Sequence, residues 1–284
     1  MSIEIHDIDD LRGCQAVVAV QEAVWGRESE VVPPSVLVAS IKRGGILLGA
    51  YGDDRLLGFV WSMPGWLDQL RTQWSHMLAV LPDARGARTG ERLKWAQRER
   101  ALEQGVTLIE WTFDPLQAQN AHLNVSVLGC VCNEYLVDAY GGMAGPLHRG
   151  TPTDRLIASW WIDGKDLARR KAARDLEMAQ PAPMPVTRPV DLTPMPHAID
   201  RLPTGQWEAC GIVRTDLDAP WVQVSIPARF GAMQQSETEL ALAWRLATRE
   251  AFRTYFERGY RVVDFFLNRE RGGGEYLLSR ADES

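Results

Sequence analysis

Between residues 74 and 129, apolar stretches of strand length alternate with stretches of helical period, and this alternation restricts the fold more than any other feature of the chain. Residues 74–80 and 108–113 read as strands. Residues 91–104 and 117–128 read as helices, stopped by Gly105 and Gly129 respectively. A strand that reaches the next strand through a helix runs parallel to it, so 74–80 and 108–113 are expected as parallel neighbours.

The segments before this unit differ in kind. Residues 3–8 alternate apolar and polar as a short strand does, and Asp9 or Asp10 is placed to cap a helix running to about residue 24. Pro33–Pro34 opens a second short helix that ends near Gly44–Gly45. Residues 45–51 and 56–63 are apolar strands joined by Gly52-Asp53-Asp54-Arg55, a hairpin signal. The first 163 residues therefore read as one mixed α/β domain. Beyond them, 164–205 read as a charged helix and then a connector carrying Pro181, Pro183, Pro185, Pro189, Pro194, Pro196 and Pro203, which excludes a helix interior. Residues 206–284 read as a C-terminal α/β unit with strands at 221–226, 261–267 and 276–279 and a helix at 236–258. Residues 239–266 echo 91–113 as helix, glycine and strand, the pattern of a degenerate half-repeat.

A chain of 284 residues can bury a core without metal or disulfide support, and its net charge of −6 gives no overall basic footprint for nucleic acid or anionic lipid. No apolar run approaches the roughly 20 residues that span a bilayer, and the acidic start MSIEIHDIDD is unlike a secretory leader, so a cytoplasmic location is expected. Cys14, Cys130, Cys132 and Cys210 do not fall at zinc-site spacing and read as reduced thiols; no metal is expected.

Chemistry concentrates where the strand at 74–80 meets the following helix, in HMLAVLPDARGARTGERL. A Gly/Arg loop that opens directly into a helix gathers backbone N–H groups into one concavity at the positive end of the helix. Arg85, Arg88 and Arg92 add positive charge, and a polyphosphate is the ligand such a loop suits. Gly90 is followed by Glu91 and Arg92 rather than by Lys-Ser/Thr, which argues against a P-loop, and the glycine spacing of a dinucleotide fold is absent. An arginine-rich surface turn without a ligand is the competing reading.

With Leu78-Ala79-Val80-Leu81-Pro82 leading into Arg85-Gly86-Ala87-Arg88-Thr89-Gly90, the segment resembles the pyrophosphate-binding motif of the GNAT N-acetyltransferase superfamily, Arg/Gln-x-x-Gly-x-Gly/Ala after a strand. Arg85 and Gly90 fill the outer positions, and Arg88 stands where the middle glycine belongs. Trp111-Thr112-Phe113-Asp114-Pro115-Leu116 and Pro152-Thr153-Asp154-Arg155-Leu156 resemble a branch of that superfamily with the same long C-terminal extension, some members of which are associated with acylated amino-acid metabolism.

The resemblance implies a strongly twisted mixed sheet with splayed parallel strands, flanked by helices. It implies acetyl-CoA or succinyl-CoA as cosubstrate and a small-molecule amine, an amino acid among the candidates, as acceptor, with a homodimer compatible. Pantetheine would lie along Met77, Leu78, Ala79 and Val80, the pyrophosphate on Arg85, Gly86, Ala87, Arg88, Thr89 and Gly90, and Asn120 on the CoA arm. The Leu78 N–H would polarise the thioester carbonyl. His76 is the base candidate: strand period puts its side chain on the face of Leu78, and imidazole titrates in the useful range. Glu110 is the alternative base. The tyrosine that serves as acid in many relatives would fall near Val125 and is missing, leaving Tyr135 or Tyr140; Asn124 is a poor donor. Asp154 and Arg155 form a local ion pair, or Arg155 holds a substrate carboxylate. Against an active enzyme stands a degenerate fold that binds CoA as a sensor or assembly module.

Overall fold

The structure, a computed structural model, describes residues 3–26, 31–141, 151–179, 195–227, 229–268 and 273–280. Two compact units result: Met1–Trp111 with Ser159–Asp163, and Thr112–Ala158 with Gly164–Ser284.

In the first unit, β1 (Glu4–Asp7) leads to α1 (Leu11–Trp25) and α2 (Pro34–Ile41), followed by β2 (Ile46–Gly52), β3 (Arg55–Leu67), β4 (Leu70–Val80), α3 (Thr89–Glu103) and β5 (Leu108–Phe113). Asp10 caps α1 by accepting from the Gly13 N–H at 2.7 Å, and Pro34 sits at the start of α2, where its missing N–H costs nothing. The hairpin of β2 and β3 turns on Asp53 and Asp54, both in the left-handed region, which matches the twist of the strands it joins. The sheet order is β1-β2-β3-β4-β5, antiparallel except at the last pair. There β4 runs parallel to β5, pairing only from Thr72↔Leu108 to Trp74↔Glu110. The mixed sheet with splayed parallel strands is therefore present.

One face of this sheet carries Phe59, Trp61, Leu47 and Ala79 against Cys14 and Val17 of α1 and Leu37 of α2. The other face receives α3, which buries Leu93, Trp95 and Ala101 but also Lys94 and Gln97. Both β3 and β4 run longer than the sequence suggests, because Asp68 at φ 52° turns them into a second hairpin that extends past the apolar stretches.

The second unit contains α4 (Ala118–Ala121), a π-helical turn over His122–Val127, β6 (Tyr135–Leu136), the start of β7 (Arg155–Trp161, which from Ser159 belongs to the first unit), α5 (Lys165–Ala179), β8 (Ile199–Thr204), β9 (Trp207–Val213), β10 (Trp221–Ile226), α6 (Phe230–Ser236), α7 (Thr238–Glu257), β11 (Tyr260–Asn268) and β12 (Gly273–Arg280). The continuous helix read over 117–128 is thus a short α-helix running into a wider π turn. Of the proline-rich connector, 180–194 lies outside the described residues. Its end belongs to the β8–β9 ribbon instead, with Pro203 opposite Glu208 in a two-stranded pair where an outward-facing position needs no N–H. The three-stranded sheet β10-β12-β11 is antiparallel throughout. Its core packs Trp244, Phe252, Phe265 and Tyr276, with Tyr135 stacked on Phe252 at 5.9 Å between ring centres. All four cysteines are free thiols. Among the described residues no helix is long and apolar enough to cross a membrane.

Candidate functional site

Pairing of β4 with β3 slips by one residue: Trp61 faces Met77, and Ser62 faces Ser75. His76 is the extra residue of this bulge. A bulge reverses side-chain parity along the strand beyond it, and that effect corrects the expectation that His76 and Leu78 share a face. The His76 ring meets the Trp61 ring edge-on at 5.2 Å, on the α1/α2 face. Leu78 points the other way: a Cβ placed on Gly90 of α3 would lie 3.6 Å from its Cδ2. The His76 ring keeps an accessible surface, yet partial desolvation lowers its pKa below the ordinary imidazole value. The neutral form is favoured, which suits a proton acceptor.

Beyond Trp74 the parallel pairing ends, and Trp111, the residue after Glu110, has no partner on β4 among the described residues. Strand β4 continues to Val80, so its edge from Ser75 onward is offered to something other than β5. The same strand delivers the chain to the Gly/Arg loop. Pro82–Ala84 makes a 3-10 turn, Gly86 takes φ 87°, and Arg88 takes φ 56°, ψ 24° as the residue before α3. Arg88 thus occupies the left-handed conformation that favours glycine, an observation that gives physical meaning to its place in the motif.

No side chain caps α3, and its first intrahelical bond is from the Arg92 N–H to the Arg88 carbonyl at 3.0 Å. The Thr89 and Gly90 N–H groups precede that bond and sit at the positive helix end. The three arginines then part ways. Arg92 donates through Nη2 to the Ile3 carbonyl at 2.6 Å and is structural. Arg85 stays exposed, its Nε bonding only the Val80 carbonyl at 3.3 Å. Arg88 Nη1 is buried without a hydrogen-bond partner.

Behind the splay lies a polar cluster that strand and helix patterns did not single out. Lys94 is 2% exposed; its Nζ donates to Ser75 Oγ at 3.0 Å and Gln97 Oε1 at 2.7 Å and sits 3.5 Å from the centre of the Trp111 ring. Trp160 packs edge-on against both Trp95 and Trp111. A lysine inside a helix that otherwise faces the sheet is the only sequence signal for it, and such a residue reads as surface until the fold buries it. Glu110 Oε1 accepts from Ser159 Oγ at 3.2 Å.

The remaining expected residues lie in the second unit. Asn120 is exposed on α4, and Asn124 is buried in the π turn, its carbonyl accepting from the Cys130 N–H. Tyr135 donates its hydroxyl to Asp154 Oδ2 at 2.8 Å, and burial together with that carboxylate pushes its pKa well up. Its proton is held tightly. Tyr140 is half exposed, with its hydroxyl 3.1 Å from Thr112 Oγ1. The Asp154 carboxylate pairs with Arg249 at 2.8 and 2.9 Å, not with its neighbour Arg155, which bonds the Asp154 carbonyl. The local ion pair expected from adjacency is therefore replaced by one 95 residues apart.

No protein-family model and no curated protein matches the sequence. Solved structures similar to it include the NatC complex bound to Gag peptide and CoA, at 12% identity over 56% of this chain and 98% of that one, with a TM-score of 0.46. Aminoglycoside 6'-acetyltransferase type Ii is similar at 17% identity over 58% of this chain and 99% of that one, TM-score 0.45. Arabidopsis thaliana Naa50, in complex with the bisubstrate analogue CoA-Ac-MVNAL, is similar at 13% identity over 56% and 98%, TM-score 0.45.

Proposed function

We propose that the protein is an acyl-CoA-dependent N-acyltransferase that moves an acetyl or succinyl group to a small-molecule amine. The observation that carries this reading is the continuity of one strand edge with one helix end. The β4 edge released beyond Trp74 leads straight into the Arg85–Gly90 loop and the uncapped start of α3. A pantetheine arm laid along Met77–Val80 would extend the sheet like an added strand, and its pyrophosphate would then reach the Thr89 and Gly90 N–H groups with Arg85 beside them. The solved structures of CoA complexes among the similar chains support the same ligand.

Within this reading the Leu78 N–H polarises the thioester carbonyl, and attack by the amine develops an oxyanion there while the C–S bond breaks to release CoA thiolate. His76, kept neutral by its surroundings, takes the proton from the attacking amine directly or through a water. Tyr135 is a poor proton donor because burial and Asp154 hold its proton, so protonation of the thiolate falls to solvent or to the imidazolium of His76. Glu110 is the second candidate base.

Thermal-shift titration with acetyl-CoA, succinyl-CoA and free CoA tests the binding half. Stabilisation by the CoA series is expected; no response to any member would sink the reading, sensor variant included. Release of free thiol on addition of amines then separates an enzyme from a CoA-binding module.

A further inference from the structure

In the first unit a buried ammonium stands where the parallel ladder stops. Strand β4 pairs with β5 from Thr72↔Leu108 to Trp74↔Glu110, and one more step in that register would set Ser75 opposite Trp111. Strands paired there would lie about 4.8 Å apart. Lys94 of α3 reaches into that rung instead: its Nζ donates to Ser75 Oγ at 3.0 Å and lies 3.5 Å from the centre of the Trp111 ring. The cation thus spans from the first released residue of β4 to the first released residue of β5. The bulge at His76 comes one residue later and alters the pairing with β3, so the release from β5 begins before it.

The surroundings pin the ammonium in this place. Nζ also donates to Gln97 Oε1 at 2.7 Å, and Gln97 Nε2 donates to Ser75 Oγ at 3.1 Å, which closes a ring of three buried polar side chains. On the β5 side Trp160 packs edge-on against Trp111 and Trp95, so the ring that faces the cation is itself held. A charge buried this deeply stays where its partners are, because moving away forfeits them with no water to replace them. The contact with the Trp111 ring gains strength from the same loss of water. An alkyl side chain of equal length has no such directional contacts and could shift to let the ladder close.

We propose that Lys94 is a positioning residue whose ammonium ends the β4–β5 ladder after Trp74 and so keeps the β4 edge at Met77–Val80 open for an extended ligand arm. The identity of that arm rests on the acyl-CoA reading; the wedge between the strands does not. Lys94 acts through the strand edge and takes no part in the chemistry. Without it the two strands pair further, and the closed form competes with the ligand for the same backbone groups.

The test compares the full-length chain with Lys94→Met and Lys94→Arg by amide hydrogen exchange without ligand and by calorimetric titration with CoA. In Lys94→Met the amides of Ser75–Val80 should exchange more slowly, by about tenfold if the closed ladder prevails ten to one. CoA should then bind about tenfold more weakly, because only the open fraction is competent. Lys94→Arg keeps a cation over the Trp111 ring and should hold both readouts near wild type. A merely structural lysine would instead leave exchange along β4 unchanged or faster, and that outcome overturns the proposal, as does Lys94→Arg behaving like Lys94→Met. Unchanged CoA affinity in Lys94→Met despite slower exchange would overturn the edge-opening role. Should Lys94→Met fail to fold, Ser75→Ala removes one arm of the wedge at the cost of one oxygen, and absence of slowing there is equally fatal. Slowed exchange in a protein whose wild type binds no CoA would sink the acyl-CoA reading and leave the wedge standing; CoA binding by the wild type with unslowed exchange in Lys94→Met would do the reverse.

Discussion

Two segments of this chain share one local pattern and end in opposite situations. Helix α3, Gly105 and β5 repeat in outline as α7, Gly259 and β11, with both glycines at positive φ where the helix stops. In the first segment the strand runs parallel to its neighbour and splays from it, the helix start is uncapped, and Arg85 is exposed. In the second the strand is antiparallel over its whole length, and two of the three arginines of the helix, Arg245 and Arg249, are consumed by Asp114 and Asp154. Identical residue types thus supply ligand-binding potential in one place and internal cohesion in the other. What separates them is whether a carboxylate of the protein reaches the guanidinium first.

The sharpest way to break this contrast is to remove a partner in the second segment. Asp114→Ala leaves Arg245 charged and buried, and should cost about 3–5 kcal/mol in urea unfolding. A cost under about 1 kcal/mol would show that the pair does not hold the unit together. In the first segment, His76→Ala should lower turnover by about 100-fold or more with CoA affinity nearly unchanged, measured as thiol release beside a binding titration. Unchanged turnover would hand the base role to Glu110.

The same histidine sets a pH dependence. Its folded-state pKa lies below the unfolded value, so the folded state resists protonation. The acid limb of kcat should therefore fall below the ordinary imidazole range, not within it, and stability linked to this group should be lost as pH drops through the window between the two values. His76→Ala should flatten that limb. Arg85→Ala, by contrast, should weaken acetyl-CoA about tenfold, a loss of about 1.4 kcal/mol, without moving the unfolding midpoint. Arg88→Gly is expected to have the smallest effect. Relief of the left-handed backbone and the greater freedom of glycine in the unfolded chain nearly cancel, so stability should change by less than about 1 kcal/mol.

Much of the first unit was legible beforehand. The hairpin at Asp53–Asp54, the Asp10 cap and the parallel direction of the strands at 74–80 and 108–113 each follow from short-range rules, although the pairing itself is confined to Thr72–Trp74 with Leu108–Glu110. The loop from Arg85 to Gly90 was legible as well, because glycine, arginine and a helix start are all written within six residues. The bulge at His76 was not. Nothing in Trp74-Ser75-His76-Met77 departs from an ordinary strand, and the slip arises from how β3 and β4 share their register. The π turn after Asn120, the β8–β9 ribbon with Pro203 and the Lys94 cluster were hidden for a similar reason, since each depends on a partner that local pattern does not name.

By itself the sequence determined where most elements of the first unit lie and where positive charge and flexible backbone meet a helix end. Periodicity and turn chemistry act over a few residues, so they hold wherever no distant partner competes with them. Tertiary structure alone decided which face His76 looks toward and which carboxylates Arg245 and Arg249 find. Those outcomes depend on residues up to 131 positions apart, as Asp114 and Arg245 are, and burial makes each of them energetically decisive.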